Sequence, residues 1–253
     1  MQTYLEKYRA SEEEKVRTKD LLRLLPKNRR SVLDIGARDG HFSRLLTEYF
    51  SEVTALDLQR PAFEIPRVVT AAGDVTKLDF ASDSFDCVFC AEVLEHIPEV
   101  QRACNEIVRV ARHEIIVGVP FQQDTRIGRC TCHSCSKVNP PWGHVNSFDS
   151  RKLLKLFSGL RVISTSYVGT TKESTNALSA FLMDLAGNPW GTYDQEELCI
   201  YCGAQMKAPG RRQPWQRGLS GIATGINRVQ TLCAKPHGEW IHLLFSKRSD
   251  QTV

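Results

Sequence analysis

The chain has 253 residues, a hydrophobic fraction of 42%, a charged fraction of 25% and a net charge of +4. This composition is that of a globular protein, which excludes a disordered or fibrous chain, and the mild charge does not by itself indicate nucleic-acid binding. The apolar runs are too short to cross a bilayer and the first residues lack the apolar part of a secretory signal, so we expect a cytoplasmic protein without a transmembrane segment.

Leucines at helical spacing over residues 12–25 predict a first helix, which Pro26 ends. Short apolar runs that alternate with helical patterns then predict a doubly wound, mainly parallel α/β sheet. The predicted strands cover residues 31–35, 53–58, 67–72, 85–91, 114–119, 161–168 and 240–245. The predicted helices between them cover residues 41–49, 100–111 and 148–157, and one more helical pattern precedes the last strand.

The strand–helix alternation stops near residue 170 and resumes only at the last strand. We therefore expect five segments along the chain. They are a cofactor-binding half with its N-terminal helix (1–120), a first cysteine loop (121–146), a helix with the sixth strand (147–169), an insertion with a second cysteine pair (170–237) and the last strand with a tail (238–253).

A glycine turn joins the first strand to the next helix in the segment VLDIGARDGHFSRLL. Such a turn brings backbone N–H groups and a helix N-terminus close to a ligand. The second strand ends at Asp57, 21 residues beyond Gly36, which is the spacing that a hydrogen bond to a ribose diol requires in folds of this kind. A strand-to-helix turn of glycines alone is a weak signal, because many such turns have no function.

Four ordered motifs together resemble class I S-adenosylmethionine-dependent methyltransferases, in particular the type 11-like subgroup with a VLEH motif. These motifs are DIGARDG, ALDL, GDVTKLDFASDSFDCVFCAEVLEHIPE and EIIVGVP, and the resemblance covers roughly residues 30–170. It implies a Rossmann-like seven-stranded sheet whose last strand is antiparallel, with S-adenosylmethionine as the cofactor. A dinucleotide dehydrogenase would share the first turn but not the third motif.

The resemblance also implies the residues of the cofactor site. Asp34, Gly36 and Gly40 would shape the methionine end, Asp57 and Leu58 would lie at the ribose, Asp74 and Val75 would face the adenine, and Glu92 would lie near the methionine moiety. One position departs from the family. Arg38 stands in the middle of the turn, where related chains often have glycine, so its side chain must either point away or line the pocket.

Nine cysteines are many for a cytosolic chain, and four of them form two C-x-x-C pairs separated by 63 residues. Four thiolates suit a structural tetrahedral Zn²⁺ site, and the glycine after the second pair permits the turn beneath a metal. The predicted ligands are Cys132, Cys135, Cys199 and Cys202, with Cys130 and His133 as possible replacements for one of them. In the methyltransferase fold both pairs follow strand ends at the carboxyl edge of the sheet, so they could meet there.

Another C-x-x-C pair, Cys87 and Cys90, lies in the predicted fourth strand. Residues three apart in a strand point to opposite faces, so these two thiols cannot bind one ion and should belong to the core.

Two histidines are candidates for a general base. His96 follows the fourth strand in VLEHIP, where related chains also use it structurally, and His144 lies in PPWGHVNSF before a predicted helix. The basic segment 207–217 could bind an anionic partner or could be a solvated linker.

Three functions remain open at this point. The first is O-methylation of a small-molecule or saccharide acceptor, which is favoured because AEVLEH replaces an NPPY-like tetrapeptide of amine methylation. The second is methylation of RNA or protein, with the zinc module as a docking surface. The third is a non-catalytic S-adenosylmethionine-binding scaffold, for which Arg38 is the indication. The acceptor and the oligomeric state cannot be read from the sequence.

Overall fold

The computed structural model describes residues 4–247. The strands are β1 (Ser31–Ile35), β2 (Glu52–Asp57), β3 (Val68–Ala72), β4 (Phe85–Ala91), β5 (Ala111–Pro120), β6 (Cys130–Thr131), β7 (Val138–Asn139), β8 (Arg161–Val168) and β9 (Trp240–Ser246). The helices are α1 (Tyr4–Ala10), α2 (Glu12–Arg23), α3 (His41–Leu46), α4 (Val100–Val110), α5 (Ser150–Leu156), α6 (Ala177–Leu185) and α7 (Pro214–Cys233). Short 3₁₀ turns occupy Leu94–His96 and Pro141–Gly143.

The chain divides into two compact units. The sheet unit contains Lys7–Phe121, Phe148–Gly169 and the chain from Glu239 onward. The cysteine unit contains Gln122–Ser147 and Thr170–Gly238. In the part of the chain that is described, no helix has both the length and the apolar character needed to cross a membrane.

The sheet unit is built on a seven-stranded sheet with the order β3-β2-β1-β4-β5-β9-β8. All neighbouring pairs are parallel except those of β9, which runs antiparallel to both β5 and β8. This topology confirms the predicted Rossmann-like fold with an antiparallel last strand. Because β8 is parallel to β5, the ends of β5 and β8 and the start of β9 lie at one edge, where Pro120 and Val168 both pair with Trp240.

Alternate residues of the central strands build two cores, one on each face of the sheet. Leu33 and Val88 pack with Ile107 of α4 in one core, whereas Val32 and Phe89 belong to the other. The second core also contains Leu21 of α2 and Phe42 of α3. Helices on both faces explain why β4 is almost continuously apolar.

The Cys87 and Cys90 side chains are fully buried in opposite cores. Burial raises the pKa of both thiols. The prediction that this pair is part of the core is therefore confirmed.

Two helices are absent from the sequence prediction. The first is α1, which Ser11 separates from α2: the Ser11 side chain accepts a hydrogen bond from the Glu14 N–H and so begins a new helix. The second is α6, which lies in a segment interpreted as a loop and begins where the Asn176 side chain accepts from the Ser179 N–H. Most other bounds shift by one to three residues, as helix and strand ends commonly do.

The cysteine unit contains the β6–β7 hairpin and a pair of antiparallel helices, α6 and α7. Small and polar side chains form the contact between these helices. The Ser179 hydroxyl donates to the Ala223 carbonyl at 2.8 Å, and the Thr175 hydroxyl donates to Asn227 Oδ1 at 2.7 Å. Thr175, just before α6, contacts Asn227, whereas Ser179, further along α6, contacts the earlier residue Ala223 of α7. The two helices are therefore antiparallel.

Candidate functional site

The glycine turn follows β1 in the sheet unit and depends on glycine at two positions. Gly36 and Gly40 have φ of +77° and +76°, in the left-handed region that side chains disfavour. A Cβ at Gly36 would also lie 2.4 Å from Val93 Cγ2. The turn is held to the neighbouring strand because the N–H groups of Gly36 and Ala37 both donate to the Leu56 carbonyl, at 2.8 and 3.0 Å.

Arg38 occupies the middle of this turn with φ of +44°. A left-handed conformation costs free energy for any residue with a Cβ, which explains in physical terms why glycine suits this position. The Arg38 side chain is exposed. The departure from the family pattern therefore places a strained backbone and an exposed side chain in the middle of the turn.

Asp57, at the end of β2, faces the glycine turn. Its Oδ2 accepts a hydrogen bond from the Arg38 N–H at 2.9 Å, and its Oδ1 accepts from the Leu58 N–H at 2.7 Å. The Leu58 side chain is largely exposed, so Leu58 contributes its backbone rather than an apolar contact here. These contacts fix a carboxylate at the mouth of the turn.

Asp34, in β1 beneath the turn, is almost completely buried. Its Oδ2 accepts a hydrogen bond from the Ser43 hydroxyl at 2.6 Å. Burial disfavours the charged form and raises the pKa of Asp34 to about 7, although the Ser43 bond opposes that shift. Asp34 thus joins β1 to α3 beneath the turn, and its carboxyl group is protonated in part of the molecules near neutral pH.

Asp74 and Val75 follow β3, in the order that places them beside the end of β2. Asp74 is exposed, and its Oδ1 accepts from both the backbone N–H and the hydroxyl of Thr76 at 2.8 Å. These bonds lower the pKa of Asp74. Val75 is buried.

Glu92 directly follows β4 and adopts an unusual left-handed backbone with φ of +59°. Such strained backbone is concentrated at functional sites. The adjacent Val93 is the residue that closes over Gly36, so the Glu92 turn and the glycine turn are in contact. Glu92 Oε1 accepts from the Tyr8 hydroxyl at 2.6 Å, and Oε2 accepts from Arg17 Nη2 at 2.9 Å.

Tyr8, Arg9, Glu14 and Arg17 come from the first two helices and were missed in the sequence analysis. Arg17 and Glu14 are buried and form an ion pair, and Arg9 bonds to Glu14 and reaches Asp39 of the glycine turn at 3.4 Å. The available signal was the spacing of Glu14, Arg17 and Leu21, which puts two charges on the buried face of α2.

Two buried donors in this group lack an acceptor among the described residues. They are Arg9 Nε and Arg17 Nη1. A buried donor without a partner is costly, and in a native structure ordered water or a bound group can complete it. Both guanidinium groups lie close to Glu92, with N–O distances of 3.9 Å for Arg9 and 2.9 Å for Arg17.

His96 ends the 3₁₀ turn after β4. Burial, aided by the charge of Arg38, lowers the pKa of His96 to about 4. The imidazole is therefore neutral near neutral pH, but it is a weak proton acceptor compared with a base whose pKa matches the working pH.

The two C-x-x-C pairs of the cysteine unit meet in space. The sulfur–sulfur distance is 3.7 Å between Cys132 and Cys202 and 3.6 Å between Cys135 and Cys199, and all four sulfur atoms lie within 4.8 Å of one another. These distances are far longer than a disulfide bond. Backbone N–H groups of Cys135 and Ser134 lower the pKa of Cys132, which favours the thiolate form.

Neither alternative ligand lies in this cluster. The Cys130 thiol is buried against Thr192 Oγ1, at 3.6 Å, and the Gly128 carbonyl, at 3.7 Å. His133 is exposed and contacts Ser134 Oγ at 3.1 Å. The four predicted cysteines are thus the ones that converge.

His144 is a buried residue of the cysteine unit. Its Nδ1 lies 2.6 Å from Gln123 Oε1, and its ring lies 5.8 Å from that of Trp142. Because an amide oxygen only accepts hydrogen bonds, this contact assigns the proton to Nδ1 and the lone pair of the neutral ring to Nε2.

The chain is similar in sequence to known proteins over one segment. Residues 33–116 match the family model of a methyltransferase domain. An uncharacterised methyltransferase of Bacillus subtilis (strain 168) is 29% identical over 93 residues, and a ubiquinone biosynthesis O-methyltransferase of Proteus mirabilis is 30% identical over 97 residues. Each match covers 33% of this chain, and it spans only 37% and 40% of the respective relatives.

The fold extends the similarity beyond this segment. The crystal structure of a candidate methyltransferase from Bacillus halodurans superposes with a TM-score of 0.60, covering 91% of this chain and 100% of the other at 15% identity. The matched segment covers most of β1, all of β2 to β4, α3 and α4, and the first part of β5. Every predicted cofactor residue from Asp34 to Glu92 therefore lies inside it.

The buried carboxyl of the methyltransferase domain gives a testable pH dependence. The folded-state pKa of Asp34, about 7, lies above the ordinary value, so the native state retains a proton that the unfolded chain has released. The unfolding free energy should therefore fall as pH rises from about 4 to about 7, by at most about 4 kcal/mol, and then level off. Asp34→Asn should lack this loss.

Urea unfolding at several pH values measures the difference between the two proteins, in which all other titrating groups cancel. Asp79→Asn, which changes an exposed carboxylate, is the matched control and should follow the wild type. Parallel curves for wild type and Asp34→Asn would contradict the assignment.

Proposed function

We propose that this chain is an S-adenosylmethionine-dependent methyltransferase that methylates a hydroxyl group of a small-molecule or saccharide acceptor. The observation that carries the proposal is the Asp57 carboxylate, held at the mouth of the glycine turn by the Arg38 N–H, within a methyltransferase domain. A carboxylate at the end of the second strand is suited to binding both hydroxyls of a ribose.

The residues present fit the cofactor around the glycine turn. Gly36 and Gly40 permit the left-handed backbone of that turn, and Asp57 with the Leu58 backbone suits the ribose. Asp74 and Val75 would border the adenine with a polar and an apolar surface. Asp34 would support the turn from beneath.

The methionine end of S-adenosylmethionine carries both an ammonium and a carboxylate group. Glu92 offers a carboxylate for the ammonium, and the Arg9 guanidinium, which lies 3.9 Å from Glu92 and is 16% exposed, offers a positive charge for the carboxylate. This charge pattern supports an amino-acid end at Glu92 better than it supports the pyrophosphate of a dinucleotide, which Glu92 would repel.

When bound, S-adenosylmethionine supplies a methyl group attached to a positively charged sulfur. Methyl transfer then requires mainly that the acceptor be aligned, and a hydroxyl acceptor also requires a base. We assign that role to His144, because Gln123 orients its ring with the lone pair on Nε2. His96 is less suitable, because its pKa of about 4 makes it a weak base.

Two further observations support a hydroxyl acceptor. AEVLEH stands after the fourth strand in place of an NPPY-like motif. One of the relatives is named as an O-methyltransferase. Arg38, the feature that favoured a non-catalytic scaffold, has an exposed side chain, and its backbone N–H holds the Asp57 carboxylate in the turn.

The four converging cysteines would hold a structural Zn²⁺. Zinc–sulfur bonds of about 2.3 Å in a tetrahedron require sulfur–sulfur distances of about 3.8 Å. The two closest pairs, at 3.6 and 3.7 Å, agree with that geometry. With four protein ligands the site has no open position, so its role would be to join the β6–β7 hairpin to the segment around Cys199.

Asp57→Ala should weaken S-adenosylmethionine binding at least tenfold. The substitution removes two hydrogen bonds to the ribose, each worth roughly 1.5–3 kcal/mol for a charged acceptor. Isothermal titration calorimetry measures the loss, with Asp79→Ala as the control that removes an exposed carboxylate elsewhere. Wild-type affinity in Asp57→Ala would show that the ribose is not bound there.

His144→Ala should lower turnover by about 10²–10⁴ and leave cofactor affinity unchanged, as expected for loss of a general base. Isotopically labelled S-adenosylmethionine incubated with a metabolite extract first identifies the acceptor by mass spectrometry. His133→Ala, an exposed histidine of the same unit, is the control. Full turnover in His144→Ala would leave this histidine with a packing role only.

Protein purified without chelators should contain one equivalent of zinc. Cys199→Ser should lose the metal and destabilise the cysteine unit, because all four thiolates are needed to close the site. Cys233→Ser, which alters an exposed thiol outside the cluster, should retain it. Less than about half an equivalent in the wild type would refute the zinc site.

A further inference from the structure

The α6 helix presents an apolar surface to solvent. Leu178, Phe181 and Leu185 follow one another at spacings of three and four residues and are 59%, 58% and 46% exposed. The opposite side of the helix buries Ser179 and Ala180, which are small. This arrangement is the reverse of an ordinary surface helix, whose apolar side faces the core.

The α7 helix shows the same inversion over a greater length. Trp215, Ile222 and Val229 recur every seven residues and are 58%, 57% and 65% exposed, whereas Ser220 and Ala223 are buried. A helix of 20 residues is about 30 Å long, so the exposed stripe covers a substantial distance.

Both apolar stripes lie on the same side of the helix pair. A groove of about 580 Å³ runs along the opposite side, lined by Ala180 and Met183 of α6 and by Thr224, Asn227 and Arg228 of α7. At 100° per residue, the groove residues of each helix lie roughly opposite its exposed apolar residues. The two stripes thus form one surface, called here the α6–α7 apolar face and consisting of Leu178, Phe181, Leu185, Trp215, Ile222 and Val229.

The segment that contains α7 is strongly basic. Residues 203–238 contain six lysines and arginines and no aspartate or glutamate: Lys207, Arg211, Arg212, Arg217, Arg228 and Lys235. The acidic residue of α6, Asp184, is paired with Arg129 at 2.8 Å. The positive charge of residues 203–238 is therefore not neutralised within that segment.

We infer that the α6–α7 apolar face binds the surface of an anionic lipid bilayer. An exposed apolar stripe containing tryptophan, phenylalanine and leucine, with basic residues on the polar side, is the pattern of a helix that lies in a membrane interface. Phosphate headgroups would meet the arginines and lysines within a helix diameter of the apolar side chains. Such binding would retain the enzyme beside an acceptor that is dissolved in or attached to lipid.

A second copy of this chain is a less suitable occupant. Two copies that met through this face would each carry six basic residues in a segment that offers no carboxylate to pair with them, although Arg228 lies on the groove side of α7. Like charges repel one another more strongly as the distance between them falls. The charge therefore favours an anionic surface over self-association.

Co-sedimentation with vesicles tests the inference. The full-length protein should bind vesicles of equal parts phosphatidylcholine and phosphatidylglycerol, and should bind pure phosphatidylcholine at least tenfold more weakly. The double variant Phe181→Ser/Ile222→Ser should reduce binding to the anionic vesicles at least tenfold. Arg217→Gln and Arg228→Gln should each reduce it about fivefold, and high salt should weaken it for all forms.

The matched control is Leu154→Ser, which changes a leucine of α5 that is 48% exposed, close to the 46% of Leu185. It should bind vesicles like the wild type. Circular dichroism and cofactor calorimetry on every variant show that the fold and the methyltransferase domain are intact, so that the outcome is independent of the proposed reaction.

Three results would overturn the inference. They are a wild type that does not sediment with anionic vesicles, a Leu154→Ser variant that loses binding as much as the double variant, and a vesicle-independent dimer in analytical ultracentrifugation that the double variant dissociates. The last result would assign the face to a second copy.

Discussion

The arrangement of the candidate site depends on one buried cation. The Arg17 guanidinium from α2 is only 1% exposed, and it is held by Glu14 of its own helix and by Glu92 at the end of β4. It also lies 4.8 Å from the centre of the Trp240 ring at the start of β9. Removing a charge from water is costly unless partners compensate it, so these contacts must form together or not at all.

That requirement links the N-terminal helix to the sheet and to the glycine turn. Arg17 fixes Glu92, and the strained backbone at Glu92 places Val93 against Gly36, where only a glycine fits. The glycine turn in turn presents the Arg38 N–H to Asp57. The carboxyl edge of a parallel sheet would hold these strand ends near one another in any case, but the buried ion pairs determine which polar atoms remain available to a ligand.

Much of the sheet unit could be predicted, because the residue types there follow directly from burial and from backbone conformation. β4 is apolar because both its faces are covered, and the glycines precede α3 because the backbone there is left-handed. The convergence of the four cysteines was also predictable, because each pair has the spacing of metal ligands and the fold that the resemblance implies brings both pairs to one edge of the sheet. Tyr8 and Arg9 could not be found in this way, because a short helix with ordinary charges shows nothing of the carboxylate 84 residues away that it contacts.

The α6 helix was missed for the opposite reason. Sequence patterns are interpreted on the assumption that apolar residues are buried. In α6, Leu178, Phe181 and Leu185 are exposed while Ser179 and Ala180 are buried. This reversed pattern of burial in α6 can be recognised only when the packing of α7 against α6 is known.

The central claim is that the glycine turn and Asp57 bind S-adenosylmethionine. Calorimetric titration of the wild-type protein with S-adenosylmethionine and, separately, with NAD⁺ tests it most directly, since both ligands carry an adenosine but only one carries an amino-acid end. The account predicts saturable one-to-one binding of S-adenosylmethionine and no measurable binding of NAD⁺. Binding of NAD⁺ in the absence of binding to S-adenosylmethionine would contradict it.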